Sequence, residues 1–276
     1  MTEPANLPPG ESAGPDPDEA GGPKDDRHFV TALARGLAVL ACFGRGRTFM
    51  ANHDIAEACN LPRSTVSRLT YTLTKLGYLH YVEEVGKYRL GTALIALSST
   101  ALGGLDVRHI ARPALREVAN FANASVGLGV RDRLSMRYVD CQRGPAAIAL
   151  NLDIGSRISL PRSAMGRAYL AVCDARERAA IYDELCALDP VAWPRLRDSI
   201  ERAIAEYREI GCSTSFGAWQ DEVSAIAVGF HPGGGLPAMA VNCGGPTVIT
   251  DPRTLMEVVR PKLIEAVRDL EGVMGA

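Results

Sequence analysis

The stretch from Asn52 to Gly77 restricts this chain more than any other. A short helical run over residues 53–59 stops at Asn60, Leu61 and Pro62, and a longer one starts at Arg63. In the longer run Val66, Leu69, Leu73 and Leu76 recur three or four residues apart, which places them on one stripe of a helix. Asn52 has the short acceptor side chain of an N-cap, with Ile55, Ala56 and Cys59 expected to face inward. Upstream, Val30, Leu33, Leu37 and Leu40 form a similar stripe that ends before the glycines at 44 and 46. Downstream, Gly77 is placed to stop the helix, and residues 79–82 and 87–90 read as two strands around a turn at 83–86. Three helices, a three-residue connection between the last two, and a hairpin describe a winged helix-turn-helix.

Removing the apolar stripe from the third helix leaves Arg63, Ser64, Thr65, Ser67, Arg68 and Tyr71 on its other side. Hydroxyls and guanidinium forks are the groups that read base edges and phosphates, and Arg63 or Arg68 has the fork that matches guanine. Lys87, expected at the hairpin tip, adds a cation for the backbone or minor groove. Many surface helices carry Ser, Thr and Arg without binding anything, so the charge balance is the useful check. The chain is net −2, but residues 1–23 account for −5, residues 24–91 are +4 and the remainder is −1. A basic module between an acidic tail and a neutral body permits double-stranded DNA as a partner.

Residues 1–26 are rich in Pro, Gly and acid and are expected to be disordered; 27–91 form the winged module and 92–105 an apolar linker helix. The fold class expected is therefore α+β, with a mixed α/β domain over 106–276. There a helix to about 123 precedes strand-like segments at 125–131, 134–142 and 146–152, and helices follow at 163–172, 175–186 and 194–209. Segments 223–230 and 236–243 look like a hairpin around 231–235, and Asp251-Pro252 opens a last helix that Pro261 should bend. The seven cysteines are scattered, without a C-x-x-C pair, and read as reduced core residues; no cofactor or metal is expected. Cys141 and His231 are a weak nucleophile–base pairing, and Trp193 and Trp219 read as packing or surface anchors. No apolar run reaches membrane-spanning length and the start lacks the regions of a secretory signal, so a cytoplasmic protein is expected.

Several of these segments together resemble the IclR family of bacterial regulators: FVTALARGLAVLACF (29–43), LPRSTVSRLTYTLTKLGYL (61–79), GKYRLG (86–91), GSRISLPRSAMGRAYLAV (155–172) and VSAIAVGF (223–230). The opening FVTALARGLAVL is most similar to members that control aromatic-acid catabolism. The resemblance implies a GAF-like effector domain with an antiparallel sheet, a small organic acid as effector, and a homodimer or homotetramer. By position, the effector pocket it implies is lined by Leu150, Ala164, Met165, Ser215, Ala225, Asn242 and Gly244, with the 164–165 amides meeting a carboxylate. The sequence departs from the family at Asn242 and Gly244, where small hydroxyl residues are common, at Ser215, where an acid is common, and at Glu222, where glycine is usual. Two other readings stay open at this point: a winged helix that binds protein instead of DNA, and an enzyme domain fused to a DNA-binding one.

Overall fold

The computed structural model describes residues 28–44, 46–103, 106–145 and 152–274. The chain divides into two compact units, one ending at Gly103 and one starting at Gly104. The acidic tail at 1–26 and most of the strand expected at 146–152 lie outside the described residues.

The first unit contains α1 (Thr31–Ala41), α2 (Asn52–Ala58), α3 (Arg63–Lys75), β1 (Leu79–Val82), β2 (Lys87–Leu90) and α4 (Ala93–Gly103). Its core is Val39, Cys42, Phe43, Met50, Ile55, Cys59, Val66 and Leu79. The chain folds back through Asn60, held at φ 48°, while Leu61 N–H donates to the Ala56 carbonyl at 3.0 Å. Gly77, at φ 77°, ends α3 in a left-handed conformation that costs glycine little. Met50 and Tyr88 exchange backbone hydrogen bonds of 3.0 and 2.8 Å, tying the segment before α2 to the hairpin.

Three local expectations need correction. Asn52 is the first residue of α2 and not its cap; Ala51 holds the cap position, and its N–H donates to Asp54 Oδ2 at 2.8 Å. The Asn52 amide instead faces α3, where its Oδ1 accepts from Thr70 Oγ1 at 3.0 Å. Leu76 leaves the apolar stripe, because it sits beyond the last turn of α3 and is 60% exposed. On α1 Val39 is buried and Leu40, as expected, packs partly buried against the same core, whereas Leu33 and Leu37, with Val30 just before the helix, remain 61%, 57% and 61% exposed. A period of 3.6 reports that a helix has an apolar side, but not which body covers it.

The second unit contains α5 (Asp106–Ala122), β3 (Ser125–Asp132), β4 (Ser135–Arg143), β5 (Arg157–Ser159), α6 (Ala164–Val172), α7 (Ala175–Leu188), α8 (Trp193–Ile210), β6 (Ser213–Phe216), β7 (Val223–Phe230) and β8 (Met239–Pro246). A last helical stretch runs from α9 (Pro252–Thr254) through a wide turn (Leu255–Val259) into α10 (Arg260–Met274). The strands form one antiparallel sheet in the order β5-β4-β3-β8-β7-β6. β5 and β6 are too short to announce themselves in the sequence. Gly233, Gly234 and Gly235 all have φ between 60° and 77° and turn the chain between β7 and β8. Pro261 follows a turn in which Arg260 N–H donates to Leu255 O, five residues back, so widening precedes the proline whose missing N–H breaks the usual pattern.

Side-chain size decides which helices cover which face. On β7, Ile226, Val228 and Phe230 enter one core with Val126, Leu128, Val241 and Cys243, against α5 and α10. The opposite face of the central strands carries small groups: Ser125, Gly127 and Gly129; Ala225, Ala227 and Gly229; Ala240, Asn242 and Gly244. This bare face lets α6 come close; a Cβ at Gly229 would fall 2.7 Å from the Ala168 carbonyl oxygen. The second core, with Met136, Tyr138, Leu160, Met165, Tyr169 and Leu170, fills the space between sheet, α6, α7 and α8.

Candidate DNA-binding face and ligand cavity

The third helix of the first unit has the two-sided character that groove binding requires. Val66 is fully buried and Thr70 is buried with it. Thr70 Oγ1 lies 3.0 Å from Asn52 Oδ1 and 3.0 Å from the Val66 carbonyl, so α2 and α3 are pinned by a polar contact as well as by packing. Arg63, Ser64, Ser67, Arg68 and Tyr71 are exposed, and Thr65 is half-buried. Six residues singled out in the sequence thus share α3, with their polar groups on the open side. Ser67 also lies at the limit of hydrogen-bonding distance from Asn52 Nδ2, 3.5 Å, and Lys75 Nζ stands 5.6 Å from the centre of the Tyr71 ring.

Lys87 does not occupy the hairpin tip. The tip is a short helical turn, Glu83–Val85, closed by Gly86 at φ 63°, and both glutamates there are exposed. Lys87 is half-buried, pairs with Val82 at the start of β2, and adds to the pull that keeps the Asp54 carboxyl below its usual range, a shift led by the Ala51 N–H. The wing therefore offers acid at its end, and Arg89, exposed on β2, is the cation there that the sequence reading passed over.

In the second unit a narrow cavity lies between the bare sheet face and the start of α6. Its walls stand close together, leaving little width beyond that of a water molecule. Cα partners cross the sheet in a row, Ser215, Ala225, Gly244, Ser125 and Arg143, and all five line this space. Of the residues expected at the pocket, Ala164, Ser215, Ala225, Asn242 and Gly244 belong to the lining. Leu150 lies outside the described residues. Met165 is fully buried but is not in the wall; its side chain packs toward Gly129, where a Cβ would meet Sδ at 2.3 Å.

The start of α6 is organised by two serines. Ser163 caps it, accepting from Gly166 N–H at 3.1 Å while its own hydroxyl donates to the Ser159 carbonyl. Ser215 Oγ donates to the Arg162 carbonyl at 3.0 Å, fastening the preceding turn to β6. Residues that the sequence reading missed complete the wall: Ser125, Gly127, Tyr138, Arg143, Ser163 and Trp219 among them. The alternation Ser125-Val126-Gly127-Leu128-Gly129 is the one local signal among these, and it points only to Ser125 and Gly127, since it strips one strand face of bulk. Tyr138 is buried, and desolvation pushes its phenol above its usual range, so it stays protonated at neutral pH. The His231 ring lies 3.0 Å from the Val172 carbonyl. Among the described residues no cluster of three or more His, Cys, Asp or Glu is placed to hold a metal ion. None of the described helices is long and apolar enough to cross a membrane.

A winged helix with an open polar face, followed by an α/β unit enclosing a small cavity, defines a DNA-binding protein with a separate sensing domain. The sequence patterns for the IclR helix-turn-helix domain and for the bacterial transcriptional regulator IclR C-terminal domain match residues 32–83 and 99–271. The chain is 31% identical to the HTH-type transcriptional regulator TsaQ1/TsaQ2 of Comamonas testosteroni, across 90% of each protein. An IclR family transcriptional regulator from Brucella abortus has the same fold, with a TM-score of 0.80 and 37% identity over 93% of this chain and 97% of that one. An IclR homolog from Microbacterium hydrocarbonoxydans, solved in complex with 4-hydroxybenzoate, shares the fold at a TM-score of 0.67 and 23% identity, covering 88% of this chain and 98% of its own. The protein belongs to the IclR family of helix-turn-helix transcriptional regulators.

Proposed function

We propose that α3 enters the major groove of an operator in double-stranded DNA and that a small organic acid in the second-unit cavity alters that binding. The observation that carries the DNA assignment is the exposed set Arg63, Ser64, Ser67, Arg68 and Tyr71, with half-buried Thr65 beside them, on a helix whose other side is locked by Val66 and Thr70. Lys87, half-buried beside α2, takes the lesser role of a backbone contact. Mobility-shift titration against the DNA upstream of the protein's own gene tests this. Failure to bind any fragment of that DNA more tightly than bulk DNA would sink it.

The effector reading rests on the cavity and on the amides of Ala164 and Met165 at the start of α6, which suit a carboxylate. Ala225 and Gly244 form the floor, with Ser215 and Asn242 as polar flanks. The 4-hydroxybenzoate held by the Microbacterium homolog and the likeness of residues 29–40 to members that control aromatic-acid catabolism support an aromatic acid. Calorimetric titration with short organic acids decides it.

We further propose that the protein works as a homodimer joined through the DNA-binding unit, acts in the cytoplasm and catalyses no reaction. Ile95 on α4 is 65% exposed and Leu97 54%. With the open stripe of α1 they leave this unit an apolar surface that a second copy would cover. Light scattering should give at least a dimer mass, and a tetramer mass would add a contact through the effector domain. A monomer at micromolar concentration rejects the dimer.

A further inference from the structure

Three polar side chains on the bare sheet face, Asn242, Ser125 and Ser213, have an oxygen left without a partner, and the first two of them line the cavity. Asn242 Oδ1 and Ser125 Oγ are both shielded from solvent and neither has a hydrogen bond. They sit on neighbouring strands of one face: Asn242 is opposite Gly127, and Ser125 is opposite Gly244. Asn242 spends its amide N–H on the Tyr138 phenol oxygen, at 3.0 Å. The Tyr138 ring leans over Gly127, where a Cβ would fall 2.2 Å from ring carbon Cε1 and 3.0 Å from Asn242 Oδ1. Tyr138 accepts in that bond, so its own O–H remains to be donated, and burial keeps it protonated. A shielded acceptor lacking a donor costs stability, and proteins seldom keep one without a use.

We infer that Tyr138 and Asn242 form a hydroxyl-reading subsite, so that the effector is a hydroxy acid instead of a plain carboxylate. One ligand hydroxyl satisfies both groups, accepting from Tyr138 O–H and donating to Asn242 Oδ1, and Ser125 Oγ, on the same face of the neighbouring strand, is a further open group in the wall. An ether accepts but cannot donate, and a hydrogen in its place does neither.

This inference rests on the effector reading above, and the experiment separates their failures. The full-length protein is titrated calorimetrically with benzoate, 4-hydroxybenzoate and 4-methoxybenzoate, and with butanoate and 4-hydroxybutanoate. The expected result is that at least one hydroxy acid binds about tenfold or more tightly than its unsubstituted partner, with the methoxy compound no better than benzoate. Asn242→Leu and Tyr138→Phe, each checked for native circular dichroism, should bring the affinity ratio of hydroxy to unsubstituted acid to within about twofold, whatever either does to the unsubstituted acid alone. Two variants are used so that a folding defect in one leaves the other to decide. Acids that bind wild-type protein without hydroxyl preference, or a preference that survives both substitutions, overturn the subsite and leave the effector reading standing. Failure of every acid to bind overturns both.

Discussion

The two faces of the second unit's sheet differ in how their most buried acceptors are met, although Arg108 Nε on the α5 face also lacks a hydrogen bond. On the face covered by α5, Asp140 is 1% exposed and every need of its carboxylate is met. Arg112 donates to Oδ2 from Nη2 at 2.8 Å and from Nε at 3.2 Å, Gln142 donates to Oδ1 at 2.7 Å, and Arg108 Nε stands 3.6 Å away. On the face toward α6, Asn242 and Ser125 keep open valences beside a cavity. A satisfied buried charge is architecture: it fixes the position of α5 on β4. An unsatisfied buried amide beside an enclosed space carries a standing cost, and a ligand that bonds to it recovers that cost.

The largest test of this contrast is Asp140→Ala, which strands the largely buried Arg108 against the sheet and leaves half-exposed Arg112 to water. Loss of one partner of a buried pair costs about 3–5 kcal/mol, so chemical denaturation should show the second unit near the edge of folding. A loss below about 1 kcal/mol would mean that Arg108 finds water as well, and that this face is no more settled than the other. Gly127→Ala comes next. Its Cβ would press on the Tyr138 ring, costing about 1–3 kcal/mol of stability and narrowing the cavity, with acid binding at least tenfold weaker by calorimetry. Unchanged binding would show that ligands lie elsewhere.

The first unit extends the comparison, because its functional polar groups are open to water. Arg68→Ala should leave the melting temperature unchanged yet weaken operator binding by about tenfold to a hundredfold if the guanidinium reads a guanine. If it touches only phosphate, the sign is a salt slope reduced by about one at similar cost to all sequences. An Arg68→Ala protein with wild-type affinity and slope removes α3 from the groove. The smallest effect belongs to Asn242→Leu, which removes the bond to Tyr138 and the unpartnered Oδ1 together and puts an apolar group of similar size in their place. Stability should change by less than about 1 kcal/mol, in either direction. A loss as large as that of Asp140→Ala would erase the distinction between the two faces.

Local chemistry made much of the molecule legible from residues alone. The break at Asn60-Leu61-Pro62, the stop at Gly77 and the Asp251-Pro252 start are instructions the backbone obeys within a few residues, whatever surrounds them; Asp251 does accept from Thr254 N–H at 2.9 Å. The exposed face of α3 could be read by subtraction, because a helix that buries Val66 and Leu69 must turn Arg68 and Ser67 outward. The cavity was legible only in part. Ala225, Asn242 and Gly244 share a strand face by alternation, but Ser125, Gly127 and Tyr138 join them only when β3 pairs with β4 and β8, more than a hundred residues away along the chain in the case of β8.

Tertiary structure alone decided three matters. It left the α1 stripe open although its spacing resembles that of a core helix, since periodicity carries no information about which partner arrives. It moved Lys87 off the hairpin tip, because a helical turn at Glu83–Val85 takes residues that a simple turn would have left to the strands. And it determined that Asp140 would be satisfied and Asn242 would not. A side chain's donors and acceptors are written in its formula, but whether they are met depends on what the fold brings within three ångströms.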